Sequence, residues 1–519
     1  LFFPFSIYLC PSSFYSLNKK MKDINLLRLL KVRESKPASY FANYLLKYGI
    51  ELASQGKNDG VKEEELDCLK AFANHFAKEQ YRARLLDNFF IGYKIPQIGK
   101  EFDLLRINND NIVSVELKSE ASEEKILKQL KRNLYYLKSL KKEVVLFTYC
   151  QNNDTLYKLA DDANLIRLED FTSLFGELLK ENDEVEDIDK LFNPCNYLIS
   201  PFNSTKRFVE DEYFLTIHQE EIKGEILKLV EGDGVCFISL KGAAGTGKTL
   251  LAYDIAKELR KSERKVLIVH CGLLNEGQKR LKEEYEWDIC IGRQISAEIL
   301  KDFDVVMVDE AQRLKMYQFE RIRDNVAEMN KKCIFSYDEN QWINSDEKDS
   351  EVLNIIRELP NLKSFRLTNS IRINKEVAFF IELLFDKSKA IKHIDYSNVD
   401  LYYFSKCDEV IGMANSLREK GWKVVNYTPG KFSKFTYQRY SIKDAKSAHA
   451  VIGQEFDNVV AIIDSNFRYG EDKKLLAGGS CYSQRQMLYQ ILTRTRLRLS
   501  IIIFDNEIMM KRCLEILGK

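Results

Sequence analysis

The sequence predicts an α/β protein: two parallel-sheet lobes preceded by a smaller mixed α/β domain. Three observations predict it. A β-branched and aromatic run, Val235 to Leu240, meets a glycine-rich turn and then an apolar helical stretch from Leu250 to Leu259. Short apolar runs then alternate with helical stretches as far as residue 505, the pattern of parallel strands joined by crossover helices. Upstream, residues 61–149 read as helix, three strands, helix, strand.

Composition sets the bounds. A chain of 519 residues is too long for one core, so several domains are expected. Lys+Arg 79 against Asp+Glu 78 gives no global basic signal, so nucleic-acid contacts must come from local patches. Eleven cysteines without a C-x-x-C pair, and five isolated histidines, argue against a disulfide framework or a zinc site and for a reducing cytoplasm. No apolar run reaches membrane-spanning length, so no membrane partner is expected.

In chain order, residues 1–20 are apolar and aromatic with Lys19 and Lys20 at their end, the reverse of a secretion signal. They read as a non-native or disordered leader, with Met21 the expected start. Residues 21–60 form an N-terminal helical segment and 61–175 the mixed domain. There, Leu66, Leu69, Phe72 and Phe76 mark a helix within 61–86. Phe89 to Tyr93 and Glu101 to Ile107 are strands, and 108–111 a polar turn. Ile112 to Lys118 alternates cleanly, with Val113, Val115 and Leu117 on one face and Ser114, Glu116 and Lys118 on the other. A helix over 123–140 and a strand over 143–149 complete the order. Glu116 and Lys118 project together, and Asp103 on the neighbouring strand can meet them. Two carboxylates around Mg²⁺ or Mn²⁺, beside a lysine able to orient water, suit phosphodiester cleavage.

Residues 176–214, acidic and then proline-bearing, read as a linker with little structure of its own. Lobe 1 spans 215–365 and lobe 2 spans 366–519. In lobe 1, Gly242-x-x-Gly245-Thr246-Gly247-Lys248-Thr249 has the order a phosphate loop needs. Its glycines let consecutive N–H groups point inward, the following helix adds its N-terminal dipole, and Lys248 reaches the β/γ-phosphates while Thr249 ligates Mg²⁺. Upstream, Gln219 can present its amide to an adenine. The strand 303–308 ends in Asp309 and Glu310, the first placed to hold Mg²⁺ and the second to polarise water. Another strand, 332–337, leads to Gln341, and 365–367 to Arg372. Lobe 2 has strands near 399–405, 423–428, 457–463 and 498–504, no phosphate loop, and instead Glu455 and Arg494.

These motifs carry two resemblances. Residues 215–505 resemble superfamily 1 helicases of the UvrD/Rep type, and most closely the compact helicase domains of Schlafen-like proteins. The resemblance implies two RecA-like P-loop NTPase lobes that bind ATP with Mg²⁺ and move on nucleic acid, single-stranded DNA in the first place and RNA not excluded. It implies that Gln219 reads adenine, that Gln341 senses the γ-phosphate, that Arg372 and Arg494 stabilise its departure, and that Glu455 meets the ribose. Ile371 stands where the family has an aromatic residue. About 60 residues separate the phosphate loop from Asp309 and 75 separate Arg372 from Ser447, too few for the duplex-gripping insertions of larger relatives. Translocation on a single strand, or nucleotide-gated clamping, is therefore expected rather than processive unwinding.

Residues 61–175 resemble the PD-(D/E)XK, or restriction-endonuclease-like, nucleases through Asp103 and Glu116-Leu-Lys118, without the usual proline before Asp103. The resemblance implies a Mg²⁺-dependent endo- or exonuclease with Asp103 and Glu116 as metal ligands. Gln129 stands at its helix glutamine, Tyr135 or Tyr136 lies further along than its tyrosine, and Glu65 is a candidate helical acid. A fusion of this kind resembles DNA-processing or phage-defence enzymes. The alternative expectation is a nucleic-acid-binding ATP switch whose first domain recognises without cutting, on RNA or on DNA.

Overall fold

The computed structural model describes residues 20–53, 60–192, 197, 199–339, 351–368, 374–391, 394–430, 436–478 and 482–519. It divides into two compact units, 1–194 and 195–519.

The first unit is built on a mixed six-stranded sheet whose order follows the chain: β1 (Phe90–Lys94), β2 (Glu101–Ile107), β3 (Asn111–Lys118), β4 (Glu143–Cys150), β5 (Thr155–Leu159) and β6 (Leu165–Leu168). Neighbours run antiparallel except β3 and β4, which are parallel and joined by the helix Glu123–Leu137. That crossover governs the site. On one face of β3, Val113, Val115 and Leu117 pack in a core with Leu66, Leu69 and Phe72 of the helix Glu63–Asn74. The other face, read as polar, is also covered, and Ser114 and Glu116 are fully buried under the crossover helix. The N-terminal helices Leu26–Ser35 and Ala38–Lys47 join this core through Leu26, Leu29, Phe41 and Leu45. They are part of the unit rather than a segment apart. The helix expected within 61–86 breaks into Glu63–Asn74 and Arg82–Leu85.

The stretch 176–214 is not the unstructured linker its composition suggests. Ile188 and Phe192 are buried in the first unit, with the Phe192 ring 5.3 Å from Tyr93 and 6.2 Å from Phe102. Ile199, Phe202, Phe208, Tyr213 and Phe214 are buried in the second, where Lys257 Nζ donates to the Phe208 carbonyl at 2.7 Å and to Asp211 at 2.6 Å. Aromatic burial holds this stretch without the periodicity that would announce a helix or strand.

The second unit holds two parallel sheets. The first has the order β12-β7-β11-β10-β8-β9, from β7 (Cys236–Gly242), β8 (Val266–His270), β9 (Ile289–Ile291), β10 (Val305–Asp309), β11 (Lys332–Tyr337) and β12 (Lys363–Leu367). The second has the order β13-β18-β15-β14, from β13 (Val399–Phe404), β14 (Lys423–Val424), β15 (Phe456–Ile463) and β18 (Thr495–Phe504), with a hairpin of β16 (Phe467–Tyr469) and β17 (Leu475–Ala477) beside it. All pairings within the two sheets are parallel. The expected lobe boundary at 365/366 cuts β12, which pairs with β7 and so belongs to the first sheet. Both faces of that sheet are apolar, which is why its strands read as unbroken hydrophobic runs.

Candidate functional sites

β7 ends at Gly242, and the turn that follows delivers the chain into the helix Lys248–Lys261. Gly245 (φ 73°) and Gly247 (φ 83°) take left-handed conformations that a side chain would strain. Thr246 Oγ1 donates to the Ala243 carbonyl at 2.8 Å and fixes the curl. Lys248 Nζ donates to that same carbonyl at 2.9 Å and lies 3.6 Å from Asp338 at the end of β11. Thr249 sits in the first turn of the helix.

The acids arrive from the neighbouring strands. Asp309 ends β10 in register with His270 of β8 and Ser336 of β11. It is buried, His270 Nδ1 lies 3.5 Å from its Oδ2, and that oxygen has no hydrogen-bond partner among the described residues. A buried carboxylate oxygen without a donor fits a hydrated Mg²⁺. Thr249 and Asp309 are therefore the residues that would hold the ion, whose contribution is to neutralise phosphate charge. Glu310 (φ 60°) turns out of the strand and accepts from Gln312 Nε2 at 2.6 Å and Arg313 Nε at 3.2 Å. Burial raises its pKa, but Arg313, Lys248, Arg494 and His270 outweigh burial and hold it below the usual carboxylate range. It remains an anion able to orient water.

Arg494 comes from the second sheet, between the helix Gln484–Leu492 and β18. Its Nε donates to the Gln490 carbonyl and its Nη1 to that of Gln454, both at 3.3 Å. Burial lowers its pKa, opposed by Glu455, Glu310 and Asp338. An arginine from one sheet thus feels the acids at the edge of the other. Asp338, directly after β11, was not singled out by sequence; Gln341 and Arg372 lie outside the described residues.

Gln219 has a structural role that was not anticipated. Its Oε1 accepts from Thr216 N at 2.9 Å, its Nε2 donates to the Thr246 carbonyl at 3.0 Å, and it is buried. The amide caps the helix Ile217–Glu231 and braces the phosphate loop. The sequence signal was Thr216-x-x-Gln219, a capping box. Glu455 is tied by its backbone, its N–H donating to Asn203 Oδ1 at 3.5 Å.

In the first unit the strand register does bring Asp103, Glu116 and Lys118 together. Leu117 N donates to Asp103 Oδ2 at 2.8 Å, and Lys118 Nζ lies 3.4 Å from both Asp103 Oδ2 and Glu116 Oε2. Gln129 Nε2 also donates to Glu116 Oε2, and Asn133 Nδ2 to its Oε1 at 2.7 Å. Lys100, buried, lies 3.9 Å from Glu116. Sequence reasoning missed Asn133 and Lys100, although Asn133 lies one helical turn beyond Gln129 on the same face. Burial, helped by Asp103, pushes the Glu116 carboxyl up to about 7 against the pull of Lys100 and Lys118. Burial also lowers the Lys100 ammonium and raises the carboxyls of Glu65 and Glu101. Glu65 accepts from Lys62 N at 3.1 Å, capping its own helix. Tyr136 is fully buried, and its ring centroid is 5.0 Å from that of Tyr135.

This set does not fit a divalent ion as expected. Among the described residues no three His, Cys, Asp or Glu side chains form a metal-ligand group. The position between Asp103 and Glu116 is taken by the Lys118 ammonium, and both Glu116 oxygens already accept hydrogen bonds.

A glycine-rich loop before a helix and acids at the ends of neighbouring parallel strands are the layout of a P-loop nucleotide-binding domain. Residues 234–424 match the Schlafen group 3, DNA/RNA helicase domain family. No curated protein matches the chain. Similar solved structures include a DNA replication initiation factor, at 16% identity over 37% of this chain and 55% of that one, with TM-score 0.23. AMPPCP-bound DnaA from Aquifex aeolicus matches at 17% identity over 38% of this chain and 57% of that one, TM-score 0.22. Domain III of the Thermotoga maritima replication initiation protein DnaA matches at 13% over 36% and 77%, TM-score 0.23. The matches thus span little more than half the length of the first two structures. Among the described residues no helix is long and apolar enough to cross a membrane.

Proposed function

We propose that the second unit is an ATP-driven motor on nucleic acid, a translocase rather than a processive unwinding enzyme. The observation that carries this reading is the buried Arg494 of the second sheet, held by the Gln490 and Gln454 carbonyls within electrostatic range of Glu455 and of Glu310 and Asp338 of the first. An ATP γ-phosphate lying between Lys248 and Arg494 would have its developing charge met from both sheets. Glu310 would orient the attacking water and take its proton. The test is ATP turnover by the full chain alone and with single-stranded DNA, duplex DNA or RNA. Turnover should rise with at least one polymer and collapse in Arg494→Ala while nucleotide binding persists. Unchanged turnover in Arg494→Ala would refute the two-sheet mechanism.

For the first unit, the order Asp103, Glu116, Lys118 on adjacent strands supports a nuclease-like role. A second reading, recognition of nucleic acid without cutting, is favoured by Lys118 lying between the two carboxylates. Incubating the full chain with labelled DNA and RNA, ATP and Mn²⁺ separates them. Cleavage lost in Asp103→Ala, with ATP turnover intact, would establish the nuclease. Intact polymer whose binding weakens in Lys118→Ala, with ATP turnover intact, would establish the recognition role.

A further inference from the structure

Residues 199–202, just past the junction of the two units, are buried, and the exposed Asn203 follows them. Ser200, buried, donates from Oγ to the Gly453 carbonyl at 3.5 Å. The Phe202 ring lies so close to Gly453 that a Cβ there would stand 2.9 Å from its Cε2. On its other side Phe202 meets Tyr253 edge-on at 4.9 Å, on the helix that begins at the phosphate loop. The Phe202 carbonyl is packed on Gly277, where a Cβ would sit 2.2 Å away. Asn203 then grips the backbone of Glu455, its Nδ2 donating to the Glu455 carbonyl and its Oδ1 accepting the Glu455 N–H at 3.5 Å.

The gripped loop also holds Arg494. The Gln454 carbonyl accepts from Arg494 Nη1 at 3.3 Å, and Phe456 N donates to the Arg494 carbonyl at 2.8 Å. Residues 453–456 are therefore clamped from one side by Ser200, Phe202 and Asn203 and clamp the arginine from the other. We propose that Asn203 is a positioning residue for hydrolysis: it fixes the 453–456 loop, and through that loop the guanidinium of Arg494, relative to the phosphate loop. This rests on the reading of Arg494 as the group that meets the γ-phosphate. A displacement of a few tenths of an ångström at such a group is enough to lose rate without losing binding.

The test is Asn203→Ala in the full chain, a change at an exposed side chain. ATP turnover should fall at least about tenfold in kcat, with KM for ATP and the binding of a fluorescent ATP analogue unchanged. The double variant Asn203→Ala/Arg494→Ala should be no slower than Arg494→Ala alone, because the positioned group is gone. Asn203→Gln, which keeps both hydrogen-bonding functions, should recover part of the rate. If Arg494→Ala slows turnover but Asn203→Ala does not, or if the two losses multiply, the positioning role is wrong while the motor reading stands. If Arg494→Ala is itself silent, the motor reading fails first, and the positioning role falls with it.

Discussion

Glu116 gives the most quantitative test of the first unit. It is completely buried, and its carboxyl is raised from an ordinary 4.5 to about 7. In the unfolded chain it ionises near its ordinary value, so between these two values the folded state binds the extra proton. Stability contributed by the neutral carboxyl is therefore complete below pH 4.5 and is lost as pH rises through 7. At roughly 1.4 kcal/mol per pH unit the full loss is about 3 kcal/mol at pH 8. Glu116→Gln removes the ionisation and keeps the shape. Its amide oxygen can accept from Gln129 and Lys118, and its NH₂ can meet Asn133 Oδ1, a buried atom with no partner at present, if that amide turns over. The attraction of Lys100 and Lys118 is already part of the balance that sets the raised value.

The variant should therefore be more stable than the parent by about 3 kcal/mol at pH 8, with the gap shrinking below about 1 kcal/mol at pH 5. Tryptophan fluorescence cannot report this, because all three tryptophans (287, 342 and 422) belong to the second unit. Urea equilibria set at each pH, then pulse-labelled with deuterium under one common condition, would be read on peptides from β3 and the helix Glu123–Leu137. A variant no more stable than the parent at pH 8, or a gap independent of pH, would refute the argument. Glu116 would then be a carboxylate fully compensated by its lysines.

Three further outcomes concern the nucleotide site. Lys248→Ala should weaken ATP binding at least about tenfold, measured by titration with a fluorescent analogue, since a charge-assisted contact to phosphate is lost. Glu310→Gln should bind ATP normally and hydrolyse it at least about a hundredfold more slowly, because an amide can hold water but not take its proton; parental turnover would remove Glu310 from that role. Gln219→Ala should destabilise the second unit by about 1 kcal/mol through the lost cap and weaken ATP and GTP binding alike. A loss confined to ATP would support the adenine-reading role.

What could be read in advance followed from how tightly chemistry constrains residue type. The phosphate loop was legible because two left-handed turns in a row, at Gly245 and Gly247, admit little but glycine. Asp309, Glu310 and Arg494 were legible because each stands at the edge of an apolar strand or helix, where a charge has to be accounted for. The pairing of Asp103 with Glu116 followed from alternation and one turn, and Asn108 N donating to the Asn111 carbonyl at 2.8 Å closes that turn as expected. Legibility failed where partners came from afar. Nothing local in Glu116-Leu-Lys118 says that the crossover helix will seal the polar face, or that Lys118 will bridge both acids. Phe192, Phe202 and Phe208 have no period to betray them, so a packed segment read as a linker. The amide of Gln219 carried two meanings, and the helix cap is the one this structure uses.

The order of strands also dictates when each unit can form. In the first unit every strand lies beside its neighbour in sequence, β1 through β6, so the sheet can zip up as it leaves the ribosome. The phosphate-loop strand β7 behaves differently. Its partners are β11 and β12, with β8, β9 and β10 made in between, so one of its edges is open until Leu367 has been synthesised and both are open until β11 has been. During that interval a finished first unit is tethered to an apolar strand with one or both edges open, the condition under which nascent chains aggregate or recruit chaperones. Synthesis halted before Leu367 would leave a complete first sheet joined to a phosphate-loop strand with an open edge.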